Sequence, residues 1–282
     1  MLSFADIEII NVMSNIHPLA SVSHKATIGE NVEIGPYAFI DDDVVIGDNC
    51  IIHPHAVIYK YVKMGSGCEV FPGAVVGAVP QDLKFDGEVT YVEIGNNLTI
   101  RECATINRGT KASHKGVTKV GDNTLIMSYV HIAHDCNIGR HCILVSYVGV
   151  AGETDIDDWA ILGGGVKAHQ FTKIGCHAMV GGTCGVNKDV PPYSLCAKDP
   201  LTYVGVNVVG LRRRGFSPDV IRNIKDIYDT IYFQGLNITD GCAKVEEGFP
   251  DSEEKETILN FIRNSKRGIV RGMDGHEKIS ME

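Results

Sequence analysis

The chain has 282 residues, 44% apolar and 22% charged, and a formal charge of −9; it is long enough to bury a large core, and its acidity argues against a nucleic-acid partner. No apolar run approaches the roughly 18 residues that span a bilayer, and the N-terminal segment MLSFADIEIINVMSN lacks the basic start of a signal peptide. A cytoplasmic protein that does not span a membrane is expected. Nine cysteines, an odd count without a CxxC pair, fit neither a disulfide framework nor a zinc ribbon.

Residues 1–15 precede any repeat and read as an N-terminal extension. From Ile16 every sixth residue is aliphatic or Met: Ile16, Val22, Ile28, Ile34, Ile40, Ile46, Ile52, Ile58, Met64, Val70, Val76. The series resumes at Ile94, Ile100 and Ile106, and again from Val120 to Val186. Four residues after each large side chain stands a small one, among them Cys50, Cys68, Cys136, Cys142 and Cys184. A buried free Cys behaves as a small hydrophobe, so these cysteines are expected to pack rather than to bind metal or react. A period of six is not helical, because helical repeats return near seven or eleven. Short strands joined by tight corners fit it. Three hexads close one triangular coil, and coils stack about 4.8 Å apart. Residues 16–193 are therefore read as a parallel β-helix, a solenoid in which each coil buries its apolar corner against its neighbours.

The spacing breaks twice, predicting inserted loops at about 80–91 and 109–118. Loops on a rigid scaffold are where binding groups collect. The period ends at Val190-Pro191-Pro192-Tyr193, and 194–271 reads as a small helical domain. Ser217 is a suitable N-cap with Pro218 at the first helical position. Val220, Ile221, Ile224, Ile227, Tyr228 and Ile231 form an amphipathic stripe that stops near Gly235. A later helix starts near Asp251 or Ser252 and buries Ile258, Leu259 and Ile262. Residues 272–282 read as a tail.

The densest polar cluster is His131-Ile132-Ala133-His134-Asp135. Stepping one coil at a time from His134 meets Gly152 and then Gln170, with His169 beside it. A histidine, a glycine N–H and an amide thus share one strip of surface. A surface histidine alone more often has no role; the column is what singles out His134.

The blocks VPQDLKFDGE, TIRECATINRGT, VHIAHDC, AHQFTKIGCHAMVGG, DVPPYS and GVNVVGLRRRGFS resemble the UDP-N-acetylglucosamine O-acyltransferases, from Ile16 to about Arg271. The hexad alone is shared by many acyltransferases; the HIAHDC, QDLK and GLRRRGF blocks together are specific. The resemblance implies a left-handed coil, whereas the crossover rule for parallel strands would favour a right-handed one. It implies transfer of an (R)-3-hydroxyacyl chain from the phosphopantetheine of acyl carrier protein to the 3-hydroxyl of UDP-N-acetylglucosamine, the first step of lipid A biosynthesis. It also implies a homotrimer with active sites between subunits, and no metal or redox cofactor.

Carried over residue by residue, the resemblance makes His134 the general base, Asp135 its orienting carboxylate and Gly152 the oxyanion donor. A histidine titrates in the range useful for activating a hydroxyl. Gln81, Asp82 and Lys84 match sugar-nucleotide contacts in the first inserted loop. His131, His169 and Gln170 match cleft-lining groups. Asn207, Arg213 and Arg214 match residues near the uridine diphosphate, where guanidinium forks suit phosphate. Arg212–Arg214, Lys266, Arg267 and Arg271 are also candidates for docking the acidic acyl carrier protein. Gly182 matches the position that measures acyl length, and glycine there implies a long chain; a corner glycine required by backbone geometry is the plainer alternative. Two residues depart from the family: Glu153 stands beside the acyl-transfer centre where a histidine is usual, and Val209 where a glutamate is common. Glu153 leaves a 3-hydroxyl or 3-amino acceptor open. Rival readings are the sister UDP-3-O-acyl-glucosamine N-acyltransferase, a γ-class zinc carbonic anhydrase and a non-catalytic β-helix scaffold.

Overall fold

The computed structural model describes residues 14–273. The N-terminal extension and the C-terminal tail read from sequence lie outside the described residues, apart from Ser14, Asn15, Gly272 and Met273. The repeat region is a left-handed parallel β-helix of two- to four-residue strands, stacked into three sheets. Face A starts at Asn15–Ile16, face B at Ser21–Val22 and face C at Thr27–Ile28. Strands of one face pair in parallel, Ile126 against Leu144 and Ile132 against Val150. From Val32 onward the large and small columns are buried in one continuous core, including the five cysteines named above.

The coil runs against the right-handed rule, whose cause is absent here. That rule reflects a twisted strand feeding a helix that packs back on the sheet. Here strands are too short to twist appreciably, and no helix intervenes. From Asn31 onward most corners instead use a residue in the left-handed region, whatever its identity: φ is 55° at Asn31, 59° at Asp135 and 65° at Trp159. Such φ values are costly for residues other than glycine and persist where surrounding structure enforces them. The coil above and the coil below supply that enforcement.

The two interruptions share one corner. The first (79–90) links Val75–Ala78 on face B to Tyr91–Ile94 on face C. The second (108–116) links Thr105–Asn107 on face B to Val117–Val120 on face C. Both loops therefore emerge at the B–C corner, and His134 lies at that same corner two coils below the first loop and one below the second.

Beyond Tyr193 the chain does not turn helical at once. Ser194–Ala197 continues face A and pairs antiparallel with Thr202–Val206, which in turn pairs with Arg271–Gly272. Four helices follow among the described residues: α1 (Val208–Arg213), α2 (Pro218–Phe233), α3 (Ile238–Gly248) and α4 (Glu253–Arg263). Ser217 caps α2 through a bond from the Val220 N–H, and Gly235 follows its end with φ 72°. The α2 stripe buries Ile221, Ile224, Ile227, Tyr228 and Ile231, and the Tyr228 hydroxyl donates to Pro192 O at 2.6 Å. Ser252 caps α4, whose Lys255 donates from Nζ to Glu246 O and Phe249 O at the end of α3. Helix α3 buries Gly241, Cys242 and Val245, a short stripe that contains a helix-weakening glycine.

Candidate active site

At the B–C corner the 18-residue pitch brings His134 directly over Gly152. A Cβ built on Gly152 would lie 2.5 Å from both Cε1 and Nε2 of His134. The ring therefore rests on the glycine backbone, and no side chain fits between them. At another corner the equivalent N–H groups donate to a side chain of the next coil: Glu30 to Asp48, Asp48 to Ser66, Ser66 to Asn96, Arg140 to Asp158. The Gly152 N–H has no such partner among the described residues. A cleft of 370 Å³ opens here, lined by Gln81, Asn107, His131, His134, Gly152 and Lys167 among others. A larger cavity of 680 Å³ lies between α3, α4 and Lys188, which continues this column three coils below His134. The smaller cleft is the better candidate because it alone joins a titratable pair to a free backbone donor.

His134 is nearly buried, with 9% of its surface exposed. Its Nδ1 lies 2.8 Å from Asp135 Oδ2, and its Nε2 lies 3.8 Å from Asp82 Oδ2 in the first inserted loop. The hydrogen bond to Asp135 raises the imidazole pKa above its ordinary value of 6.5; burial opposes this, and the charges of Asp135, Asp82 and Glu153 add to it. Asp135 is fully buried, and burial alone would push its carboxyl up. Hydrogen bonds from His134, Ser113 and Thr110 outweigh that and hold it below the usual carboxylate range. The arrangement fixes Nδ1 as the protonated nitrogen and leaves Nε2 to face the cleft as a base.

The supporting residues come mainly from the second loop and its base, and sequence reading did not single them out. Thr110 donates its N–H to both Asp135 oxygens at 3.0 Å and its hydroxyl to Oδ2 at 2.7 Å. The Asp135 N–H donates to Thr118 Oγ1 at 2.7 Å. Lys115 Nζ bonds the Asp135 carbonyl and Asp155. Arg108 stands one coil above His134 at this corner, since Ile106 pairs with Ile132. It is 4% exposed, has no ion-pair partner among the described residues, and its guanidinium lies over Tyr61 at 5.5 Å and Phe85 at 5.4 Å. These contacts, with the Asn107 Nδ2 bond to Val79 O, tie the first loop to the helix.

The other candidates divide among three corners. Gln81 and His131 line the cleft, and His131 Nδ1 contacts Thr105 Oγ1 at 2.7 Å. Burial, then the Lys167 charge, lowers the His131 pKa. Lys84 is exposed, its N–H bonded to Asp82. Gln170 continues the column below Gly152, and exposed His169 lies beside it; neither lines the cleft. Glu153 sits on the corner after Gly152 with φ 57°. Gly182 lies at the A–B corner, where an added Cβ would stand 3.1 Å from Gly164 O. Asn207, Arg213 and Arg214 lie near the C–A corner, away from His134. Asn207 is buried and caps α1, taking a bond from the Gly210 N–H and donating to His177 O. Arg214 lies 5.2 Å over the Trp159 ring and donates from Nη1 to His177 Nδ1 at 3.1 Å. Burial and the Arg214 charge push the His177 pKa down to about 4, so it accepts as a neutral ring. Arg213 and Val209 are exposed.

Hexad coils with a histidine and a free N–H at one corner define a hexapeptide-repeat transferase. Residues 43–78 and 118–152 match the bacterial transferase hexapeptide family, and residues 189–270 match the second domain of UDP-N-acetylglucosamine O-acyltransferase. The chain belongs to the UDP-N-acetylglucosamine O-acyltransferase family. An acyl-[acyl-carrier-protein]–UDP-N-acetylglucosamine O-acyltransferase of Paraburkholderia phymatum is 46% identical over 263 residues, covering 92% of this chain and all of that protein. The UDP-N-acetylglucosamine acyltransferase structure from Bacteroides fragilis superposes with TM-score 0.88 at 50% identity, covering 91% of this chain and 100% of that one. The Arabidopsis enzyme superposes with TM-score 0.79 at 31% identity over 91% of this chain and 100% of that one. Membership sets aside the sister N-acyltransferase, the carbonic anhydrase and the inert scaffold.

Proposed function

We propose that the protein transfers a 3-hydroxyacyl chain from acyl carrier protein to the 3-hydroxyl of UDP-N-acetylglucosamine, the first step of lipid A biosynthesis. The observation that carries this reading is the His134 ring lying on Gly152, with a base nitrogen and an unpaired N–H side by side in one cleft. His134 Nε2 takes the proton from the sugar hydroxyl as its oxygen bonds to the thioester carbonyl carbon. The Gly152 N–H stabilises the oxyanion; such a donor is worth about 2.7–4 kcal/mol. As the intermediate collapses the C–S bond breaks, and the imidazolium returns its proton to the phosphopantetheine sulfur. Asp135 holds the charged ring throughout. The steps balance without a metal or redox cofactor.

Gly149, Gly164, Gly182 and Gly185 leave face B and its A–B corner poor in side chains, which suits an extended acyl chain. Gly182 does not have positive φ, so its backbone does not require glycine; crowding against Gly164 O is the competing constraint. A homotrimer fits the division of candidates between corners. One full face separates His134 from Arg214 within a chain, and a neighbouring copy would bring the two corners together. The enzyme would act in the cytoplasm, where acyl carrier protein is charged. An acyl-transfer assay over thioesters of several lengths and UDP-sugars with 3-hydroxyl or 3-amino groups tests the reading. Transfer to UDP-N-acetylglucosamine, lost in His134→Ala, supports it; no transfer to any UDP-sugar, or a monomer in solution, overturns the corresponding part.

A further inference from the structure

We propose that Thr110, in the second inserted loop, is a positioning residue that shares Asp135 Oδ2 with His134 and thereby limits how basic His134 becomes. This deepens the general-base reading of His134 and rests on it. The geometry is specific. Oδ2 takes three donors: His134 Nδ1 at 2.8 Å, the Thr110 hydroxyl at 2.7 Å and the Thr110 N–H at 3.0 Å. A carboxylate oxygen has two lone pairs, so these donors compete. Each bond from Thr110 draws density that would otherwise strengthen the bond to the imidazolium.

The loop is built for this contact. A Cβ on Gly109 would lie 2.2 Å from the Val117 N and 2.7 Å from Asp135 Oδ1, so only glycine lets the backbone pass against the carboxylate. Thr110 Oγ1 also takes a bond from the Ser113 N–H, which orients its own hydrogen toward Oδ2. Thr118 fixes the Asp135 backbone, and Lys115 ties the loop to the Asp135 carbonyl and to Asp155 on the next coil. The charged or titratable groups around His134 are Asp135, Asp82, Glu153, Arg108 on the coil above, and cleft neighbours His131 and Lys167; Lys115 bonds the Asp135 carbonyl and Asp155. None but Asp135 bonds the ring nitrogens within hydrogen-bond distance. A general base tuned too high would be protonated near neutral pH and idle. The loop thus supports the base; its own side chains line no part of the cleft.

The test follows the His134 imidazole by NMR in isotopically labelled protein, which reports without any turnover. Only the part of this hydroxyl bond's strength that differs between the neutral and the charged ring sets the shift, about half to one pH unit. In Thr110→Val the His134 pKa rises by about that amount, and the acid limb of kcat/KM moves up with it. Thr110→Ser, which keeps the hydroxyl, restores both. Thr110→Ala removes the same group with less bulk and serves if the valine variant does not fold. An unchanged or lowered His134 pKa in folded Thr110→Val or Thr110→Ala overturns the proposal, even if activity falls. So does a wild-type ring whose neutral form carries its proton on Nε2. If wild-type protein transfers no acyl group, the function fails while the NMR titration still decides the role of Thr110.

Discussion

Gly152→Ala isolates the contact on which the site rests. Gly152 has no positive φ, so alanine is conformationally free to occupy it, and the three nearest atoms to its Cβ all belong to the His134 ring. That contact must open from 2.5 Å to at least 3.4 Å, so the imidazole and the peptide separate by about 1 Å. A displacement of that size costs about 10²-fold in a positioned reaction, and misaligning an oxyanion donor costs about 10²–10³-fold. We expect kcat to fall at least 10²-fold. Overpacking destabilises by about 1–3 kcal/mol. Because the three nearest atoms all belong to His134, that destabilisation should shrink in a His134→Ala background. Denaturant unfolding of the four proteins of the cycle measures the coupling, and steady-state acyl transfer measures kcat. Equal destabilisation in both backgrounds, or a loss of kcat under threefold, refutes the reasoning.

Other outcomes follow from the same geometry. The base works when neutral and its pKa lies above 6.5, so kcat/KM should fall as pH drops through that raised value. Asp82→Asn removes one charge that raises it and should move the acid limb to lower pH; a pH–rate profile decides. By linkage, the raised pKa makes His134 contribute stability that is full below its unfolded pKa and lost as pH rises through the folded one. Denaturation midpoints of wild type and His134→Ala should converge across that window. Gly182→Met should shift donor preference to shorter chains, read by competition between thioesters, and unchanged preference would remove Gly182 as the length determinant. Trp159 is the only tryptophan and lies under Arg214. Titration with UDP should change its fluorescence, and Arg214→Ala should abolish the change.

The coil was legible because each hexad repeats the same physical demand, a large apolar residue inward and a small one at the corner. The fixed pitch also carried the His134–Gly152–Gln170 column. It failed above His134. One coil up is normally 18 residues away, but the second loop lengthens that step, and Ile106 pairs with Ile132 instead. A plain 18-residue step from His134 lands on Gly116 rather than Arg108. Counting the inserted residues into the pitch would have aligned Arg108 over His134 and Gly109 over Asp135, and placed Thr110 beside the carboxylate. The hairpin after Tyr193 and helix α3 were hidden for another reason. The hairpin strands pair on the last coil and α3 packs on α2, so tertiary contact rather than local preference decides their form. The positions of Asn207 and Arg214 were likewise invisible, since corner assignment beyond the last repeat depends on that packing.

The stacked coils make the molecule's axis a digital scale. The strands bearing His131, Gly149, Lys167 and Gly185 stack in order between the base and the closing hairpin. Each step is about 4.8 Å. Adding or deleting one whole coil would move the helical cap by that increment and leave His134 and Gly152 in register. Reach along the axis can therefore evolve in fixed notches, independently of the chemistry at the corner.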